Sequence, residues 1–484
     1  MPAQSQPFAR NAWGENPSLP GGGVFRPQAG LRAVWLAILA LAPLAALAQD
    51  LTLVTLDPGH FHAALFQRAM LPGIAAEAFV YAPLGPDLAA HLNRVAQFNL
   101  RRDQPTRWRL RVYAAPDFQE TLLRNPPGQI VVMSGRNRGK IDRIQGCVRA
   151  GLHVLADKPW IIEPEDLPKL EAALDAADAQ HVVAYDAMTQ RFEITAILQR
   201  ALVNDPDVFG QPLAGSPAEP AVRIESLHYL FKEVAGVPNL RPAWFFDITE
   251  QGEGLSDVGT HLADMVTWIL FPEQRIDYKR EIQVLGGKRW PTSLSLADFQ
   301  RVTGEKQFPG PTNHPGLKDG KLAYFCNNRV EYALRGVHVR LEATWDFAVP
   351  AGKQDTELAV FRGSRACVEV RQGAAEQYRR EVYITPNGAN DGAALLAALK
   401  KHVAARQTDW PALGIEEGSG RFRLVIPDRF RASHEEHFAL VAQRFLNYAR
   451  NPQALPAWEK PNMLAKYYVT TKGVQLARQS LTNP

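Results

Sequence analysis

The segment Leu51-Thr-Leu-Val-Thr-Leu56, continued by Asp57-Pro-Gly-His-Phe-His62 and Ala63-Ala-Leu-Phe-Gln-Arg-Ala-Met70, decides the fold. Its first six residues are apolar or β-branched, the pattern of a buried strand; the next six hold a Gly-containing tight turn, and Ala63 to Met70 has helical character. Strand, tight turn and helix in that order open a doubly wound α/β domain. The chain downstream repeats the alternation. Glu77 to Ala82 reads as a second strand, and Pro86 to Leu100 as a helix with Leu88, Leu92, Val95 and Ala96 at helical spacing. Further strands are predicted at Arg109 to Tyr113, Gln129 to Met133 and His153 to Ala156, with a helix from Gly139 to Ala150 before the last of them. A helix over Glu165 to Ala179 then leads into extended chain at Val182 to Tyr185. This alternation predicts a parallel sheet.

From about Val222 the texture changes. Val222 to Tyr229, Val330 to Leu334, Val337 to Phe347, Glu357 to Arg362 and Ala366 to Arg371 read as strands, several of them alternating apolar and polar residues, which suits an antiparallel sheet with one wet face. Phe271 to Gly320, rich in Pro, Gly and Lys, is expected to run as a long excursion around that sheet, and His434 to Arg450 as an amphipathic helix. The expected fold class is α/β: an N-terminal Rossmann doubly wound parallel sheet plus a C-terminal α+β domain with a large open antiparallel sheet. Residues 1–48 are set apart as a signal peptide with an upstream segment, 49–186 as the Rossmann domain and 187–484 as the C-terminal domain.

Composition narrows the classes of function. The 484 residues are 46% hydrophobic and 21% charged, which is ordinary globular chemistry, and a net charge of +4 spread without basic runs gives no footprint for nucleic acid. Arg32 leads into the apolar run Ala33 to Leu47, which ends in Ala46-Leu47-Ala48 before Gln49. A basic flank, a short apolar stretch and an A-x-A site describe a secretory signal, too short for a comfortable membrane span. A periplasmic or otherwise exported protein is expected, with no stable span after cleavage. Cys147, Cys326 and Cys367 are an odd count that implies no disulfide framework, and the spacing of Cys and His suggests no zinc site, so no metal is expected.

Three motifs carry chemistry. In the turn after the first strand, the three glycine positions of a dinucleotide fingerprint hold Asp57, Gly59 and His62, so only the glycine under the phosphates is kept. Asp57 would bring negative charge towards a pyrophosphate, and His60 and His62 could offset it. Second, Gly151-Leu-His-Val-Leu-Ala-Asp157-Lys158-Pro159 delivers a lysine to the C-terminal end of a parallel strand, where ligands of open α/β sheets bind. Third, Gly252-Glu-Gly-Leu-Ser-Asp257-Val-Gly-Thr-His261 places Asp257 and His261 on one face of a helix, with Ser256 as its N-cap and Leu262, Met265, Val266 and Ile269 packing the other side. The pair reads either as a cap with a core histidine or as an acid–base couple.

At these motifs the chain resembles the glucose–fructose oxidoreductase/inositol dehydrogenase/rhizopine-catabolism oxidoreductases. The family's Glu-Lys-Pro corresponds to Asp157-Lys158-Pro159, its Gly-rich D-x-G-x-H to Gly254-Leu-Ser-Asp257-Val-Gly259-Thr-His261, and Asp264 fits as well. The resemblance spans roughly Leu51 to Arg371. It implies that Lys158 hydrogen-bonds the reacting hydroxyl, Asp257 orients the substrate and His261 moves the hydroxyl proton, while hydride passes to or from a nicotinamide. It further implies a cofactor held by Asp57, Gly59, His62, Asp157 and Lys158, with Ser134 and Asn137 near its ribose side. Tyr81-Ala-Pro83 stands where a ribose selector is expected, which leaves NAD and NADP both open. Because an exported enzyme meets little free NAD, the cofactor is expected to be tightly bound.

The expected activity is oxidation or reduction at a hydroxyl or keto group of a sugar, glycoside or polyol, with homo-oligomerisation through the C-terminal sheet. Two other readings stay open on the same residues: redox-neutral glycoside cleavage by oxidation and elimination, and a carbohydrate-binding protein without catalysis. Export has a direct test. N-terminal sequencing of the protein from the cell envelope is expected to begin at Gln49, and a chain retaining Ala33 to Leu47 would reject the signal.

Overall fold

The apolar run Leu51–Leu56 forms β1, and its alternate side chains feed two different cores, Leu53 on one face and Val54 and Leu56 on the other. Burial on both faces is why the strand reads as a continuous apolar run rather than an alternating one. The computed structural model describes residues 50–480 except 235–236, 239, 311–315 and 389–390, so the expected signal at Ala33 to Leu47 lies outside the described residues. The parallel sheet continues with β2 (Ile74–Ala82), β3 (Arg109–Ala114), β4 (Ile130–Met133), β5 (His153–Ala156) and β6 (Ala184–Asp186). Their order, β3-β2-β1-β4-β5-β6, is that of a Rossmann sheet, and its switch point lies between β1 and β4.

The second sheet has ten strands, with Val222–Phe231 (β7) near its middle. Its pairings are antiparallel except one: β7 lies parallel to Val337–Ala348 and antiparallel to Thr356–Arg362. The expected excursion over Phe271 to Gly320 is instead built around a 13-residue edge strand, Ile282–Leu294, followed by a helix, Leu296–Thr303. Glycine and proline hid that strand for a physical reason. Its register shifts fall at Val284/Gly286 and Trp290/Thr292, and a Cβ on Gly287 would stand 2.2 Å from the carbonyl oxygen of Gly473 in the helix packed across it. The opening helix is also shorter than expected, His62–Phe66 (α1). The chain turns away after it because the carbonyls of Gln67 and Arg68 accept hydrogen bonds from Trp108 Nε1 at 2.7 Å and Arg101 at 2.6 Å.

Three helices tie the sheets together. Val258–Leu270 is buried on nearly its whole circumference, apolar residues packing around it while Asp264 is enclosed with other charged groups. His434–Arg450 begins with a capping box between Ser433 and Glu436 and lays Phe438, Val441, Ala442, Phe445 and Leu446 against the parallel sheet's core. Glu459–Gln479 crosses the edge strand and the Val258–Leu270 helix. Among the described residues no helix is long and apolar enough to cross a membrane, and the three cysteines are free.

Where these parts meet, a cluster of ions is enclosed. Arg191 donates to Asp264 at 2.6 and 2.7 Å and to Glu459 at 2.9 Å, while Lys466 lies 2.9 Å from Asp186 and 3.4 Å from Asp264. The Tyr467 hydroxyl donates to Asp186 at 2.8 Å and accepts from the Trp160 amide at 3.0 Å. Arg191→Met would leave the Glu459 carboxylate buried without its cation and Asp264 with Lys466 alone, at a cost of about 3–5 kcal/mol. The urea-unfolding midpoint is expected to fall accordingly; an unchanged midpoint would show that the cluster carries no stability.

Candidate active site

The carboxyl ends of the parallel strands open into a cavity of about 500 Å³, walled on the far side by the second sheet. Lys158 enters it just after β5, and Asp257 and His261 enter from the first turn of the Val258–Leu270 helix. Lys158 Nζ donates directly to Asp257 Oδ1, across 99 residues of sequence. Burial alone would depress the lysine and raise the acid, but each answers the other's charge, so Lys158 lies above and Asp257 below its ordinary value. Asp257 is the N-cap residue by backbone position, with its side chain given to the lysine instead of the helix; the expected cap Ser256 is buried, and its hydroxyl has no partner among the described residues. His261 is held well below the usual imidazole value by burial and by the Lys158 charge, so it enters the cavity neutral. Its buried Nδ1 has no hydrogen-bond partner among the described residues.

The turn after β1 is used differently from the sequence expectation. His60 and His62 do not offset Asp57 but face Asp157, with His60 Nδ1 2.8 Å from Asp157 Oδ2 and His62 Nδ1 2.9 Å from Asp157 Oδ1. Burial lowers both imidazoles, His62 to about 4, while the histidines hold the buried Asp157 well below the carboxylate range despite its desolvation. His62 Nε2 lies 2.9 Å from His434 Nε2, a residue 372 positions away that the Ser433 capping box sets at the start of its helix. Asp57 takes a positive φ of 50° and stands over Gly135, where a Cβ would come 2.1 Å from its carboxylate; its nearest cation is Arg143 at 3.8 Å.

The remaining residues expected around a cofactor are engaged with the protein. Ser134 Oγ donates to the His60 carbonyl at 2.7 Å and accepts from the Ala63 amide at 3.2 Å, which pins the turn. Asn137 donates to Gln251 and accepts from buried Lys140, so it braces the loop after β4. Gly59 faces Gly135 across the switch point: a Cβ added to it would stand 3.1 Å from Gly135 Cα and 2.9 Å from Trp244 Cζ2. The Trp244 indole reaches this point from the C-terminal half and is fixed by a 2.9 Å bond to Asp87.

The sheet wall supplies residues that no sequence motif marked. His228 Nδ1 lies 3.0 Å from Asp355, which Lys232 also contacts, and Arg380 pairs with Glu357 at 2.6 Å. The His228 ring lies 4.9 Å from that of Trp345, over which the Arg241 guanidinium stands at 5.0 Å. The only available signal was strand alternation, which puts Ser226 and His228 on one face of β7 but cannot say what that face meets.

A family model described as "Putative oxidoreductase C terminal domain" matches residues 198–478. A crystal structure of "a putative oxidoreductase" from Parabacteroides merdae ATCC 43184 is 38% identical with a TM-score of 0.86, covering 90% of this chain and 98% of that one. Levoglucosan dehydrogenase in complex with NADH has the same fold at 13% identity and a TM-score of 0.53, over 89% of this chain and 98% of that one. GenD2 from gentamicin A biosynthesis, in complex with NAD, is likewise 13% identical with a TM-score of 0.53, over 89% and 95% of the two chains. No curated protein matches.

The Lys158–Asp257 pair is open to a simple test. Its side chains are 10% and 14% exposed, so Asp257→Ala leaves a nearly buried ammonium without its counter-charge and is expected to cost about 3–5 kcal/mol in urea unfolding. Asp257→Asn, whose amide oxygen still accepts from Lys158, is expected to cost less; equal losses for the two variants would argue against the pairing.

Proposed function

Because this chain belongs to the glucose–fructose oxidoreductase/inositol dehydrogenase/rhizopine-catabolism family, we propose that it transfers hydride between a nicotinamide dinucleotide and a hydroxyl-bearing carbon of a sugar, glycoside or polyol. The observation that carries the reading is the meeting of Lys158, Asp257 and His261 in one cavity at the carboxyl end of a Rossmann sheet. The residues fit the cofactor where its phosphates would approach the backbone. Gly59 keeps a position without a side chain beside Gly135 at the switch point, where the backbone of the turn would approach the phosphates. A tightly held cofactor suits a protein exported on Ala33 to Leu47.

When bound, the nicotinamide supplies the hydride acceptor for an alcohol or the donor for a ketone. The chain's own groups handle the proton and the orientation. Lys158 Nζ, kept charged by Asp257, donates to the reacting oxygen, and neutral His261 takes the hydroxyl proton as that oxygen becomes a carbonyl. Opposite them, every cation of the sheet wall named above except Arg241 is matched by a carboxylate, and Trp345 with His228 offers an aromatic surface. Such a wall has many donors and acceptors and little net charge, which favours a neutral polyhydroxylated ligand.

Mass spectrometry of the gently denatured protein is expected to release NAD(H) or NADP(H). Lys158→Met and His261→Ala are each expected to lower turnover of an accepted sugar by about 10²–10⁴ while keeping the cofactor. Absence of any dinucleotide, bound or bindable, or full turnover in both variants, would overturn the reading.

A further inference from the structure

We propose that His60, His62 and Asp157 form a binding site for one borderline divalent cation of the zinc class, open towards the cavity. The ligand atoms of the three residues lie within 4.8 Å of one another. Two imidazoles come from the turn after β1 and the carboxylate from the end of β5, so the parallel sheet itself gathers them. Two nitrogens and an oxygen are a donor set that first-row divalent metals accept, and three protein ligands with a free position are the composition of catalytic zinc sites.

Hydrogen bonding within the cluster accounts for only half of it. His60 Nδ1 makes a properly directed bond to Asp157 Oδ2. His62 Nδ1 and Asp157 Oδ1 are 2.9 Å apart but not aligned for a hydrogen bond; neither has another partner among the described residues, and their side chains are only 5% and 6% exposed. Buried polar atoms are rarely left this way. A cation between them would satisfy both; the ligand edge of a tetrahedral site with bonds of about 2.0–2.1 Å is roughly 3.3 Å, so the pair needs to open by only a few tenths of an ångström.

Two further features prepare the site. His62 Nε2 lies 2.9 Å from His434 Nε2, so an Nε2–H given to His434 leaves the Nδ1 lone pair turned towards Asp157. Metal-bound histidines are oriented by such outer partners. Charge is the second. Lys158, next in the chain, is committed to Asp257, and Lys140 donates to the Asp157 backbone carbonyl instead of the carboxylate. Among the described residues the buried Asp157 carboxylate therefore has no lysine or arginine partner, a deficit that a bound cation removes. The His60 side chain is 28% exposed and lines the cavity, so the free position would face a substrate oxygen beside Lys158 and Asp257. That last role rests on the oxidoreductase reading, whereas cation binding does not.

The test uses the purified chelator-treated protein, titrated with Zn²⁺ against a competing chelator and separately with Co²⁺ followed by visible absorption. One equivalent is expected to bind. His60→Ala and His62→Ala should each weaken binding by more than about 100-fold, beyond the roughly 10–100-fold expected for the outer partner variant His434→Ala. His60 is the more exposed of the two, so His60→Ala keeps the test decisive if His62→Ala does not fold. A Zn²⁺ affinity weaker than about 1 mM, or uptake unchanged in His60→Ala, would overturn the site. Failed uptake with sugar turnover intact removes the metal and leaves the oxidoreductase reading; uptake without any dinucleotide binding does the reverse.

Discussion

The enclosed ions Asp186, Arg191, Asp264, Glu459 and Lys466 hold the two halves of the molecule at the angle on which the site depends. All five side chains are no more than 8% exposed, and an unpaired charge in such surroundings costs several kcal/mol, so the contacts stand or fall together. Asp186 ends the parallel sheet, Asp264 lies on the central helix, and Glu459 and Lys466 belong to the last helix. Asp257 and Asp264 are two helical turns apart. Fixing the helix at Asp264 therefore helps set where Asp257 meets Lys158.

Within the cleft, charge and neutrality are kept apart by burial. Lys158 and Asp257 stay ionised because each is the other's counter-ion, while burial lowers His62, His261 and His434, in His62 despite the Asp157 carboxylate beside it. The result is an ammonium held by its counter-ion beside several imidazoles that burial keeps neutral.

The altered turn after β1 shows how a fold can keep an architecture while changing its furniture. Two of three glycine positions carry Asp57 and His62: Asp57 bends back over Gly135 in a left-handed conformation, and His62, largely buried against Asp157 and His434, lines one wall of the cavity. Backbone approach survives only at Gly59, facing Gly135. What the turn gave up in permissive backbone it gained as a side-chain cluster at the mouth of the strands.

Much of the framework was legible in the sequence because its determinants are local. A strand buried on both faces must be apolar along its length, as Leu51–Leu56 and Ile130–Met133 are, and an amphipathic helix with its own capping box, His434–Arg450, announces both its start and its buried face. Lys158, Asp257 and His261 were visible through their motifs. The edge strand Ile282–Leu294 was not, because Gly287 there answers to a helix packing across it, and Gly286 and Pro291 fall at register shifts. No local pattern could place His434 against His62, Trp244 over Gly59, or Arg191 between Asp264 and Glu459. Those contacts join residues up to 372 positions apart, and they form because desolvated charges and rings accept few partners once two sheets and three helices have closed around them. The sequence by itself determined the order of strands and helices and the chemistry carried to their ends; the tertiary structure decided which of those ends meet.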